Sequence, residues 1–223
     1  DLVRSRGLGD VYKRQGQIDA GTLALPPLPA SLQMPGSLPV SGQIALKADQ
    51  VLYAGTPVFG AAAGTLSFAP DQASLTLDDA AIGNGKLSGS ATLKLDPKAP
   101  PALSAKFLAD GIDAGALSLP QSFPLNLTSG QLSATASLTA SGYSAKTWAA
   151  TLGGSATITA SNGTLSGLSL PDLASALTTT PRPALSKSLS GGTTPFATLN
   201  LAATIAQGNC TLTQAQLTGP GGT

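Results

Sequence analysis

From Ser41 onward, apolar residues recur at every second position. The runs are Ile44, Leu46 and Ala48; Leu66 and Phe68; Leu75 and Leu77; Leu87, Ala91, Leu93 and Leu95; Leu103, Ala105 and Phe107; Leu132, Ala134, Ala136 and Leu138; and Leu199, Leu201, Ala203 and Ile205. Ile158 sits in a shorter run of the same kind, SATITAS. Ser, Thr, Lys, Gln and Asp fill most of the places between. Successive side chains of a strand point to opposite faces, so each run is a strand that is apolar on one face only. Pro70-Asp71, Asn84-Gly85, Asn162-Gly163 and Gly208-Asn209 separate such runs and read as hairpin turns, Asn-Gly being the strongest short-range signal of that kind. The expectation is a mainly β fold: a long twisted antiparallel meander sheet, apolar on one face and groove-like. Three segments, SGQIALKAD at 41–49, GKLSGSATLKLD at 85–96 and GQLSATASLTAS at 130–141, repeat a hairpin theme at uneven spacing.

One stretch departs from period two. Leu168, Leu170, Leu173 and Leu177, then Leu185 and Leu189, recur at spacings near three and four. Ser169 is placed to cap a helix with Pro171 in its first turn. This predicts two short helices near 171–189, at 171–179 and 183–189, broken by Pro181 and Pro183.

Composition agrees with strands. All 11 acidic residues are Asp, and Glu, a good helix former, is missing while Ser, Thr and Gly abound. Apolar residues make up 42% and aromatics only 4%, so the hydrophobic content is chiefly Ala and Leu, which suits a thin slab rather than a thick core. Formal net charge is +1, but residues 1–15 carry Arg4, Arg6, Lys13 and Arg14 against Asp1 and Asp10, and without them the balance is −1. No basic patch is left for nucleic acid. Residues 1–15 differ in character from all that follows and resemble a translated sequencing-adapter read-through, of the kind that ends reading frames assembled from environmental DNA. We therefore read 1–15 as a non-native, disordered stretch, 16–40 as a Pro-rich lead-in and 41–223 as one β-sheet domain truncated at its C-terminus. No apolar run is long enough for a membrane-spanning helix, and the N-terminus lacks the apolar core of a signal peptide.

Candidate chemistry is sparse. The chain has no His and a single Cys, so Ser/His/Asp and Cys/His arrangements are impossible and a metal site would rest on Asp alone. Asp78-Asp79 point to opposite faces of a strand and read as its end at a turn; Asp110 and Asp113 flank a bend. Gly153-Gly154 and Gly191-Gly192 lack the Lys and the helix that a phosphate-cradling loop needs. Cys210 reads as a small apolar filler. Trp148 either meets a lipid–water boundary or packs against the short helices. Asn126-Leu127-Thr128 matches a glycosylation pattern that a Thr-rich chain produces by chance. The expectation is a protein that is not an enzyme and uses no metal or cofactor.

From about Gly130 the order of elements resembles the C-terminal region of the AsmA family. The alternating strand GQLSATASLTASG leads to SAKTWAATLGG, then to SATITASNGTLSGLSL, the Leu-rich helical pair, and GGTTPFATLNLAATIAQGNCTLTQAQLTGPG. Gly163-Thr164-Leu165-Ser166-Gly167-Leu168 stands where the family has a G-T-L-x-G-L step, and Gly191 to Phe196 stand where it has a G-x-T-x-F step. Leu87 to Leu95 resembles the family's repeated L-x-G-x-A-x-L-x-L strand. The resemblance covers about 180 residues. It implies a periplasmic protein anchored to the inner membrane through a missing N-terminal segment, with relatives linked to outer-membrane assembly and to phospholipid transport.

Such a sheet suits that role physically, because an apolar face left uncovered by its own helices is a place for acyl chains. The expected occupant is phospholipid or another acyl lipid, lying on a groove lined by Ile44, Leu46, Leu66, Phe68, Leu75, Leu77, Leu87, Leu93, Leu95, Leu103, Phe107, Leu132, Leu138, Ile158, Leu199, Leu201 and Ile205. A second expectation, from a different class, is a structural assembly factor or adhesin-like β protein that pairs a sheet edge with a strand of an envelope protein partner.

Overall fold

The alternating runs fold as strands joined edge to edge. A computed structural model describes residues 13–27, 36–117, 126–178 and 191–219, and among them strand accounts for 73%. The strands are β1 (Lys13–Leu25), β2 (Ser41–Tyr53), β3 (Thr56–Phe59), β4 (Ala62–Ala69), β5 (Gln72–Ile82), β6 (Gly85–Asp96), β7 (Ala99–Asp113), β8 (Asn126–Ser141), β9 (Gly153–Ser166), β10 (Thr193–Ala206) and β11 (Asn209–Thr218). They form one open mixed sheet in the order β1-β2-β4-β5-β6-β7-β8-β9-β10-β11, with β3 folded back on β2.

From β2 to β11 the neighbours are antiparallel, as the alternation predicts, but β1 and β2 run parallel, with Lys13 opposite Ser41 and Leu25 opposite Tyr53. A parallel pair cannot be joined by a tight turn. The end of β1 at Leu25 and the start of β2 at Ser41 therefore lie at opposite ends of the pair, about 40 Å apart at a strand's rise per residue. The strand itself takes in the first half of the lead-in and also Lys13, Arg14 and Gln15.

Register shows why the face stays apolar. One row across the sheet reads Leu46, Gly64, Leu77, Gly89, Phe107, Ala136, Ala156, Ala203, Leu212. The parallel row on the opposite face reads Ala45, Thr65, Thr76, Ser90, Lys106, Ser137, Ser155, Thr204, Thr211. Strict alternation fails between Leu77 and Ala80 and between Ala109 and Ile112, among other places, and at these two the strand bulges so that the next apolar residue returns to the same face. Asp78-Asp79 form the first slip. They lie inside β5 rather than at its end, and Asp79 pairs with Lys86 at 3.1 Å on the exposed surface.

Two hairpins differ from the sequence reading by a residue: the turns are Gly83-Asn84 and Gln207-Gly208. Asn162-Gly163 is no turn at all. It lies within β9 as an irregularity against β8, with Asn162 at φ 51°, a conformation that Asn tolerates in a bulge as readily as in a hairpin. Leu127 to Gln131 of β8 accommodate the shift.

The helices occupy connections rather than the face. Helix α1 (Ala145–Thr151) joins β8 to β9 and packs on β8. It was not legible as a helix, since AKTWAAT has no apolar periodicity; its start is set by Ser144 and Thr147, which make a capping box. Helix α2 (Leu170–Thr178) follows β9, as expected. The expected second helix at 183–189 lies outside the described residues. Ser169 Oγ accepts from Asp172 N at 3.3 Å, and the buried Thr194 hydroxyl accepts from Leu170 N at 3.0 Å while donating to the Leu168 carbonyl at 2.7 Å. Thr194 and Leu165 are register partners, as are Phe196 and Gly163. The two short steps on which the family resemblance rests thus meet across β9 and β10 and fix the start of α2. Gly163 is needed there, because a Cβ would stand 2.5 Å from Phe196 Cζ.

Thr194→Val removes both hydrogen bonds and leaves the half-buried Leu168 carbonyl and Leu170 N–H without these partners, so it should cost about 1–3 kcal/mol, read as a lower urea midpoint at unchanged slope.

Candidate functional site

Of the residues read from the sequence as groove lining, all but Leu95 fall on five cross-strand rows of a single face. Phe68, Leu93 and Leu103 share the row at one side. Ile44, Leu66, Leu75, Leu138 and Ile205 share the next; then come Leu46, Leu77 and Phe107. Leu87, Ile158 and Leu201 form the fourth, and Leu132 and Leu199 the fifth. Leu95 lies where β6 slips against β7 and is buried at 7% exposure.

Buried apolar residues are mostly alanines, such as Ala48, Ala80, Ala105, Ala109, Ala140 and Ala160, while the larger side chains between them stay half-exposed. Leu75 keeps 38% of its surface and Leu212 57%. A core of this kind is one side chain thick. Apolar surface of such extent on a folded chain marks a place for something else to bind.

The face is not uniform. Towards β1 it folds into a concavity of about 550 Å³, in the range of small-molecule sites. Its large side chains are Leu23, Leu25, Leu46, Val51, Phe59, Leu75, Leu77, Leu87 and Phe107; Ala48, Ala62, Ala63 and Gly64 supply small ones, and Lys47 is its one charged residue. Gly64 keeps the floor low for a steric reason as well: a Cβ there would run into the Thr76 carbonyl of β5. Sequence reasoning included Leu46, Leu75, Leu77, Leu87 and Phe107 but missed Leu23, Leu25, Val51 and Phe59. The signal for β1 was present in Ile18, Ala20, Leu23 and Leu25, interrupted by Gly21 and overshadowed by the prolines that follow. Towards β11 the row that holds Phe107 carries small side chains, with Ala136, Ala156 and Ala203 side by side, and Gly154 stands in the adjacent row between Leu138 and Ile205.

Neither helix contributes to the concavity. Trp148 of α1 is half-buried and donates its indole N–H to the Gly142 carbonyl at 2.8 Å, a local anchor at the end of β8. Asp110 accepts from the Ser133 hydroxyl at 2.9 Å, and Asp113 caps the 3₁₀ turn at Ala114–Ala116 by accepting from Gly115 N at 2.9 Å. Both carboxylates serve the bend. Cys210 is exposed on β11, not a buried filler, because nothing pairs with the outer side of its strand among the described residues. Among the described residues no three metal-ligating side chains cluster, and no helix is long and apolar enough to cross a membrane.

The sequence model of the AsmA family matches residues 15–215. No curated protein and no solved structure matches the chain.

An apolar reporter dye should bind the folded protein. Leu46→Glu should remove most of its fluorescence enhancement, whereas Ala45→Glu, one residue away on the polar face, should leave it unchanged at equal far-UV circular dichroism.

Proposed function

The chain belongs to the AsmA family, and from that membership together with its open apolar face we propose that it binds acyl lipid, as a non-catalytic lipid-transfer or outer-membrane biogenesis protein of the periplasm, held at the inner membrane. Membership is consistent with an envelope role. The observation that carries the finer reading is the apolar concavity of about 550 Å³ set into a face that continues across the sheet.

Magnitudes favour a lipid. Each methylene moved from water contributes about 0.8 kcal/mol, so ten of them contribute about 8 kcal/mol, against an association cost that begins near about 4 kcal/mol. A chain of that length is held, whereas one that buries fewer than about five methylenes is not. With almost no polar group in the lining, recognition of the chain is by shape and apolarity, which suits passage of many lipid species better than selection of one headgroup.

A second reading rests on β11. Asn209–Thr218 has no charged residue and no Pro, the usual devices that keep an edge strand from pairing, and its outer side is open among the described residues. A structural assembly factor that pairs this edge with a partner strand is thus the alternative. Thr211→Lys with Gln216→Lys would block such pairing without touching the apolar face.

The test is native mass spectrometry of protein exported to a bacterial periplasm and purified without detergent. Phospholipid should co-purify with the unaltered chain and with Thr76→Asp, and be lost from Leu77→Asp. A folded, lipid-free protein would overturn the lipid reading.

A further inference from the structure

We infer that Phe107 is the end wall of the concavity and sets how long an acyl chain it accepts. This rests on the reading of the concavity as an acyl site. The concavity crosses the strands, drawing side chains from each of β1 to β6 but only Phe107 from β7 and none from β8 onward. Leu46, Gly64, Leu77 and Phe107 of one cross-strand row line it, and towards β1 the lining turns along the strands to Val51, Phe59, Leu23 and Leu25, so Phe107 stands at the end remote from β1.

Phe107 is the last large side chain in that row before Leu212 at the far edge. On its concavity side the row partner is Gly89, and on the other it is Ala136, followed by Ala156. A Cβ built on Gly89 would lie 2.8 Å from Phe107 Cδ1, so the ring reaches over β6 towards the concavity and occupies the space that a side chain at 89 would fill. Gly89 has φ 157° and sits against the Lys106 carbonyl as well, so the gap is fixed by backbone and not by a movable neighbour. The ring is only half-buried, which leaves its exposed edge in the path of anything lying along the row.

A chain lying in the concavity gains contact with each added methylene until its end meets the ring. Without the ring, the concavity opens onto Ala136, Ala156 and Ala203 further along the row, and a longer chain continues to gain.

The test measures affinities of the full chain for saturated fatty acids from lauric to lignoceric acid. For the unaltered protein, affinity should rise about fourfold per methylene, the equivalent of about 0.8 kcal/mol, and then level off at a limiting length. Phe107→Ala should move that limit to longer acids and Phe107→Trp to shorter ones. Trp keeps the bulk at this position, so one variant tests the wall even if Phe107→Ala folds poorly. Equal limits in the unaltered protein and Phe107→Trp would overturn the role of Phe107 while leaving the acyl site standing. No binding of any acid by the unaltered protein would overturn the acyl site and the wall together.

Discussion

Everything in this molecule depends on cross-strand register. A sheet only one side chain thick has no second layer to hold it, so its backbone ladder must bring every apolar residue to the same side or leave apolar surface scattered over both. A one-residue slip in any strand would turn its whole apolar set outward. The chain meets this constraint with bulges. Where its own spacing departs from two, at Asp78-Asp79 and at Asp110-Gly111, an unpaired residue absorbs the difference and the alternation resumes in phase. Polar residues and glycine stand at these slips because an extra backbone unit there meets solvent.

The same constraint accounts for the choice of small residues. Alanine fills the buried places because neighbouring leucines already cover them, and glycine appears where one strand's backbone or ring needs the room, as at Gly64 against Thr76 and at Gly163 beneath Phe196. The helices act at the ends. The capping box at Ser144 and the Thr194 hydroxyl fix how the chain leaves one strand and returns to the next, which leaves the broad face to the strands alone.

Most of the sheet was legible in the sequence, because hydrophobic alternation is itself the instruction that places side chains on one face. The face of the candidate site was legible for the same reason, down to individual residues such as Leu77 and Phe107. The concavity was not. It depends on the parallel pairing of β1 with β2, which brings Leu23 to the same hollow as Phe107, and no local pattern encodes a contact over that separation. Asn162-Gly163 was misread because the left-handed conformation that favours this dipeptide in a hairpin serves equally in a bulge. Helix α1 escaped notice because it is held by caps and by the Trp148 indole rather than by an apolar stripe. Cys210 was misplaced because alternation tells which face a residue takes, not whether its strand is central or last.

The sheet does not close on itself among the described residues, and its apolar rows continue across the strands from one hairpin to the next. Length along these rows is therefore counted in hairpins: each pair of strands adds about 9.6 Å. The loosely repeated segments at 41–49, 85–96 and 130–141 are what such a scheme would leave behind. A protein built in this way is extended by duplication, one hairpin at a time, and its reach is a quantity that can change in small increments while the cross-section of the sheet stays the same.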